Sequence, residues 1–180
     1  MDSNTEVYNW KREADNVFYT NNSVFVLEQD MVEYLIRNAK KYGGFQSRVC
    51  LHQNHQDSLH EMVIVLLKGC YIPPHKHDRK IESFHVIEGR LAVIIFSNRG
   101  GVDKIIILGE EIGLYRLSKD LYHMVVPLSE HVVFHETTNG PFILGEMEVP
   151  CWAPDKGGDA RSVFEYQKKI NKLVSAAIDG

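Results

Sequence analysis

The chain has 180 residues, 44% hydrophobic and 24% charged, which suits one globular domain with a full core and short terminal additions. A net charge of -4 and an isoelectric point near 6.1 argue against a phosphate-backbone binder, and no block of like charge is long enough to act as a nucleic-acid or membrane tail. The N-terminus has no basic region followed by an apolar run, no stretch reaches the roughly 18 apolar residues of a bilayer span, and Cys50, Cys70 and Cys151 form neither an even set nor a Cys-x-x-Cys pair. The expectation is a cytoplasmic protein with free thiols, no nucleic-acid partner and no membrane insertion.

Residues 1–25 are polar and irregular, with apolar runs at Val17–Tyr19 and Val24–Leu27 that suit either a strand or an arm. Asp30 precedes Met31, Leu35 and Ala39, which share a helical stripe with Leu27, and Gly43-Gly44 is a plausible stop, so a helix is expected over about 28–41. From Ser47 the pattern changes to short β-branched and aromatic runs: 48–52, 62–68, 71–77, 82–87, 91–96, 104–108, 114–117, 122–126, 132–137 and 142–148. Ser97–Gly101 and Asn139-Gly140-Pro141 read as hairpin loops. Val163, Tyr166, Ile170, Leu173 and Ala177 then recur at helical spacing beside three lysines, giving an amphipathic C-terminal helix that docks on its own domain or forms a dimer contact. The expected organisation is an N-terminal arm and helix (1–44), a single β-barrel (45–150), and a C-terminal loop and helix (151–180).

The chemistry concentrates between Gly69 and Gly89. His75 and His77 are two apart, so on an extended strand both imidazoles leave one face. Glu82 shares its parity with Phe84 and Val86, which places a carboxylate on a core-facing side. Such a group is costly to bury without a divalent cation. Glu136 alternates with Val132 and Phe134, so its carboxylate points into the core if those two do, as a candidate acid, base or orienting group. Arg48 and His52 take one face of their strand and Val49 and Leu51 the other, and the sequence does not decide which lines the interior. Lys80, in the turn before Glu82, is a further candidate for an anionic substrate. His55, His60, His131 and His135 read as structural or exposed. Cys70 falls opposite the His75 face unless Pro73-Pro74 breaks the alternation.

The spacing Gly-x5-His-x-His-x4-Glu-x6-Gly resembles the first signature of the cupin family, with every fixed position filled. The resemblance implies a mainly antiparallel cupin or jelly-roll β-barrel, with His123 as a fourth ligand beside His75, His77 and Glu82. The usual Pro-x-Gly-x-x-His line is replaced here by Ser118–His123, with Asp120 expected to adopt the positive φ of the missing glycine. A longer resemblance, to the WbuC family of cupin-fold metalloproteins, runs through Arg48, His52, Asp57, Met62, Tyr71-Ile72, Pro74, His75, His77, Lys80, Glu82, Phe84, Gly89, His123, Glu136, Gly140-Pro141-Phe142 and Trp152-Ala153-Pro154. It implies one divalent ion (Fe, Mn, Ni or Zn), a small-molecule carbohydrate ligand, and a setting among bacterial O-antigen and surface-polysaccharide genes. Two function classes follow: a metal-dependent isomerase, epimerase or oxygenase acting on a saccharide or nucleotide-sugar precursor, or a non-catalytic sugar-binding or regulatory cupin with a structural metal.

Overall fold

The computed structural model describes residues 3–43 and 45–180. Gly44, half of the expected helix stop, lies outside the described residues. The N-terminal stretch is more regular than its composition suggests. A short helix α1 (Ser3–Val7) leads into a hairpin of β1 (Trp10–Ala14) and β2 (Val17–Thr20). Lys11, Arg12 and Glu13 hide β1 from a propensity reading, and it forms because it is an edge strand with Lys11 and Glu13 exposed, while Trp10 is buried and the Arg12 guanidinium lies over the Phe18 ring. Val24–Leu27 contributes no strand.

Helix α2 (Gln29–Lys41) follows, with Asp30 in its first turn accepting from the Met31 N–H at 2.9 Å. The strands after it are β3 (Gln46–Cys50), β4 (Leu59–Leu67), β5 (Lys76–His77), β6 (Glu82–Glu88), β7 (Leu91–Phe96), β8 (Val102–Leu108), β9 (Leu114–Leu117), β10 (Tyr122–Pro127), β11 (His131–Asn139) and β12 (Met147–Glu148), before helix α3 (Ala160–Asp179). One sheet has the order β1-β2-β3-β4-β11-β6-β9, a second β10-β7-β8, and β12 pairs with β5. All pairings are antiparallel except β2 with β3. The sheets pack face to face without closing into the expected barrel.

Three apolar layers hold this stack. Between the sheets, Ile64, Leu66, Phe84, Val93, Leu108, Val125, Val132 and Phe134 form the central core. On the outer face of the large sheet, Val49, Val63, Val65 and Val133 meet Leu35 and Val32 of α2 and the ring cluster of Tyr8, Trp10, Phe18 and Tyr34. Leu35 and Phe18 are fully buried, each worth about 1.5–3 kcal/mol of transfer free energy. Beneath the small sheet, Ile94, Phe96, Met124 and Val126 receive Ile170 and Val174 of α3, so the C-terminal helix docks on its own chain. Its buried stripe runs through Val174, with Leu173 at the margin.

Two expected strands are mostly absent. Pro73-Pro74 stops the run at 71–77 from pairing until its last residues, because proline offers no N–H to a ladder. After Gly140 the chain does not turn back as a hairpin; residues 142–145 are exposed, and the two-residue β12 crosses to β5 instead. Among the described residues no helix is long and apolar enough to cross a membrane.

Candidate metal centre

His75 and His123 come from distant parts of the chain and are joined by backbone. The His75 N–H donates to the His123 carbonyl at 2.9 Å and the His123 N–H to the His75 carbonyl at 2.8 Å, an isolated antiparallel bridge that ties the β5 segment to β10. Their imidazoles consequently lie side by side, ring centroids 4.4 Å apart, and His77 adds a third ring 5.1 Å from His75. One ligating atom from each of the three lies within 4.8 Å of the others, a group able to hold a metal ion. Glu82, the first residue of β6, closes the set: its Oε2 is 2.9 Å from His123 Nε2 and its Oε1 3.3 Å from His77 Nε2.

Backbone carbonyls orient two of the rings. His75 Nδ1 lies 2.9 Å from the Pro73 carbonyl and His123 Nδ1 3.0 Å from the Leu121 carbonyl. A carbonyl can only accept, so each Nδ1 carries the proton and each Nε2 presents its lone pair to the centre. His123 Nε2 and Glu82 Oε2 are close but not aligned as a hydrogen bond, and both are buried without a partner. Two orphaned acceptors converging in a buried site would be costly, and a cation between them would satisfy both. The residues present therefore fit a divalent ion.

The electrostatics agree. Burial, followed by the neighbouring His123, holds the His75 pKa down to about 4, so this imidazole is neutral at ordinary pH. For Glu82, burial favours the acid, but the close contacts and charges of His123 and His77 outweigh it and hold the carboxyl far below its usual range. His123 moves the opposite way: burial alone would depress it, and Glu82 raises it above the ordinary histidine value, so without a cation a proton competes for its Nε2.

These four residues sit on the wall of a cavity of about 570 Å³, which every other candidate from the sequence also lines. Arg48, Cys50 and His52 face it, while Val49 and Leu51 join the α2 layer, which decides the strand face that the sequence left open. Arg48 is exposed at the rim. The Lys80 ammonium lies 5.5 Å from the centre of the Phe142 ring. Glu136 sits between Met62 and Phe84 in the sheet, and its neighbour His135 points outward to Glu61 at 3.4 Å, as the alternation requires. Glu136 is half-buried, open to the cavity yet enclosed by protein on its other sides. Burial and then the charge of Glu82 push its pKa up to about 7, against the pull of Arg48.

Several readings need correction. His60 is only 4% exposed and lines the cavity, with its ring stacked on His52 at 4.0 Å and 2° between planes. Its parity with Met62, Ile64 and Leu66 was the available signal, hidden by starting that strand too late. Thr138 was missed for the same reason, at the far end of β11. Cys70 lies in the core between the sheets, where burial pushes its thiol up to about 11 and makes it unreactive. Asp120 does not adopt positive φ; the turn before His123 is closed by the Leu121 N–H donating to the Lys119 carbonyl at 2.9 Å.

Two sheets packed over one core, with a His-x-His pair, a carboxylate and a later-strand histidine on the inner wall, define a cupin fold with a candidate metal site. The sequence matches the model of a domain family of unknown function, DUF6016, over residues 27–108, less than half of the 180-residue chain. No curated protein matches it. Among solved structures it is similar to CapF, a capsular polysaccharide assembling protein from Staphylococcus aureus, at 18% identity and TM-score 0.49, covering 59% of this chain and 32% of that one. It is also similar to the Cnp3 cupin domain of Schizosaccharomyces pombe, at 16% identity and TM-score 0.42, covering 52% and 60%. A third is an oxalate oxidase in complex with the substrate analogue glycolate, at 15% identity and TM-score 0.44, covering 55% and 53%. In each case the match takes in less than two thirds of the other chain.

Proposed function

We propose that this protein is a metal-dependent enzyme that isomerises or epimerises a saccharide or nucleotide-sugar precursor of a bacterial surface polysaccharide. His75, His77, Glu82 and His123 are the ligands of one divalent ion, of the Fe, Mn, Ni or Zn group. The observation that carries the reading is the convergence of orphaned acceptors on a cavity wall shared with Glu136. Such an ion, when bound, polarises a carbonyl or hydroxyl oxygen of the ligand. Glu136, with its pKa near neutrality, is suited to take a proton from an adjacent carbon and return it. Arg48, with its planar fork at the rim, is suited to a phosphate or carboxylate of the ligand. The saccharide assignment is supported by the resemblance to the WbuC family, whose shared positions include the cavity residues Arg48, His52, Lys80, Glu136 and Phe142.

Elemental analysis of the purified protein, followed by turnover assays with a nucleotide-sugar panel under aerobic and anaerobic conditions, tests this. One equivalent of metal is expected, lost in H77A, with conversion of one sugar that disappears in E136Q. A full equivalent of metal in H77A would refute the ligand set. Stoichiometric metal with sugar binding but no turnover would leave the non-catalytic sugar-binding reading in its place.

A further inference from the structure

The cavity has polar chemistry beside and beyond the metal ligands that the reading above does not use. On the large sheet, Thr138 of β11 is directly opposite His60 of β4 on one side and Glu82 of β6 on the other. His52 extends the row by stacking on His60. All four residues line the cavity. Strand spacing puts the His60 backbone about 10 Å from that of Glu82, two strands away, a span that suits a single sugar ring with one substituent.

Within this row, Thr138 and His60 are each only 4% exposed, and Thr138 Oγ1 and His60 Nε2 have no hydrogen-bond partner. A buried hydroxyl and a buried ring nitrogen left unsatisfied in adjacent strands are costly. Lys80, on the same cavity, and Arg48 at its rim have no carboxylate within 4.0 Å among the described residues. Neither cation is in an ion pair, so an anionic substituent seated beside Lys80 or Arg48 would meet an unpaired positive charge, although Glu82, Glu136 and Asp155 line the same cavity.

We infer that His60, Thr138 and Lys80 form a second pole of the cavity, which receives the hydroxyl groups and acidic substituent of a monosaccharide-sized ligand whose other end meets the metal centre. The inference rests on the proposed function, since that supplies the sugar. A hydroxyl bonded to Thr138 and His60 satisfies both orphaned atoms at once. A carboxylate or phosphate on the same ring is held by Lys80, and either source has the chemistry required.

The test uses metal-loaded full-length protein, with T138V and K80M as variants. Valine matches threonine in shape and removes only the hydroxyl, so in the absence of ligand T138V should melt at or above the wild-type temperature. A fall of about 2–4 °C would mean that the hydroxyl makes a structural bond, and would overturn the inference. Calorimetric titration with D-glucose, D-glucuronate and D-glucose 6-phosphate supplies the second readout. At least one acidic sugar should bind about ten-fold more tightly than glucose, K80M should abolish that advantage, and T138V should weaken binding about five- to ten-fold. The acid whose affinity falls more in K80M identifies the substituent. Sugars that bind both variants as they bind the wild type would overturn the second pole and leave the metal-site reading standing. If no sugar binds the wild type, both readings fall.

Discussion

Replacing Glu82 with glutamine isolates the one formal negative charge in the proposed ligand set. The carboxylate is 6% exposed and contacts His123 Nε2 at 2.9 Å and His77 Nε2 at 3.3 Å, so an amide of the same shape fills the site without new volume. Removing one partner from a buried charge pair costs about 3–5 kcal/mol, because the remaining charge stays desolvated. Applied to a bound divalent ion, that is a loss of roughly two to nearly four powers of ten in affinity. Competition against a chelator of known affinity measures it, with the melting curve of the metal-free variant as a control for folding. An E82Q protein that held the metal within about three-fold of wild type would refute the assignment, and with it the argument from the orphaned Oε2.

The metal-free protein should lose stability as the pH falls from 6.5 to about 4, because over that range unfolded His75 binds a proton that the folded one refuses; melting curves flat across it would contradict this. Glu136 has the opposite sign: its folded pKa of about 7 lies above the ordinary 4.5, so its ionisation costs stability as the pH rises between them. E136Q should therefore melt higher than wild type at pH near 8 and about equally at pH near 4.5 when metal is absent, and a lower melting point at the higher pH would remove Glu136 from the enclosed position argued above. G140A should be strongly destabilising, since its Cβ would fall 1.9 Å from the Asp57 carbonyl oxygen and 2.7 Å from His60 Nε2; a wild-type melting point would show that this corner of the cavity is free to open.

The metal-site segment was legible because its constraints are local. Parity along one strand puts Glu82 with Phe84, and Glu136 with Val132 and Phe134, and the structure keeps all of these on the core side. The features that were left open or missed depend on distant partners. Gln46–Cys50 shows its Arg48 face to the cavity because α2 covers Val49 from behind, and no spacing within the strand reveals where a helix will pack. Trp10–Ala14, with three charged residues among five, is a strand only because Val17–Thr20 pairs with it. His60 was lost to a two- or three-residue error in where a strand begins. Pro73-Pro74 keeps the run before His75 out of any ladder, and the stretch after Gly140 pairs only through Met147–Glu148.

The place of β11 in the large sheet bears on what can be cut from this chain. The stretch matched by the domain family, residues 27–108, ends with β8, yet β11 lies between β4 and β6 and is hydrogen-bonded to both. A fragment with those limits would hold His75, His77 and Glu82 but would present two long bare strand edges where the central strand belongs, an invitation to pair with other copies. It would also lack the β1–β2 hairpin beyond β3, and so the Tyr19 wall of the cavity. The boundaries of sequence similarity and those of the folding unit therefore differ here, and soluble expression should require the chain through β11 rather than the matched segment alone.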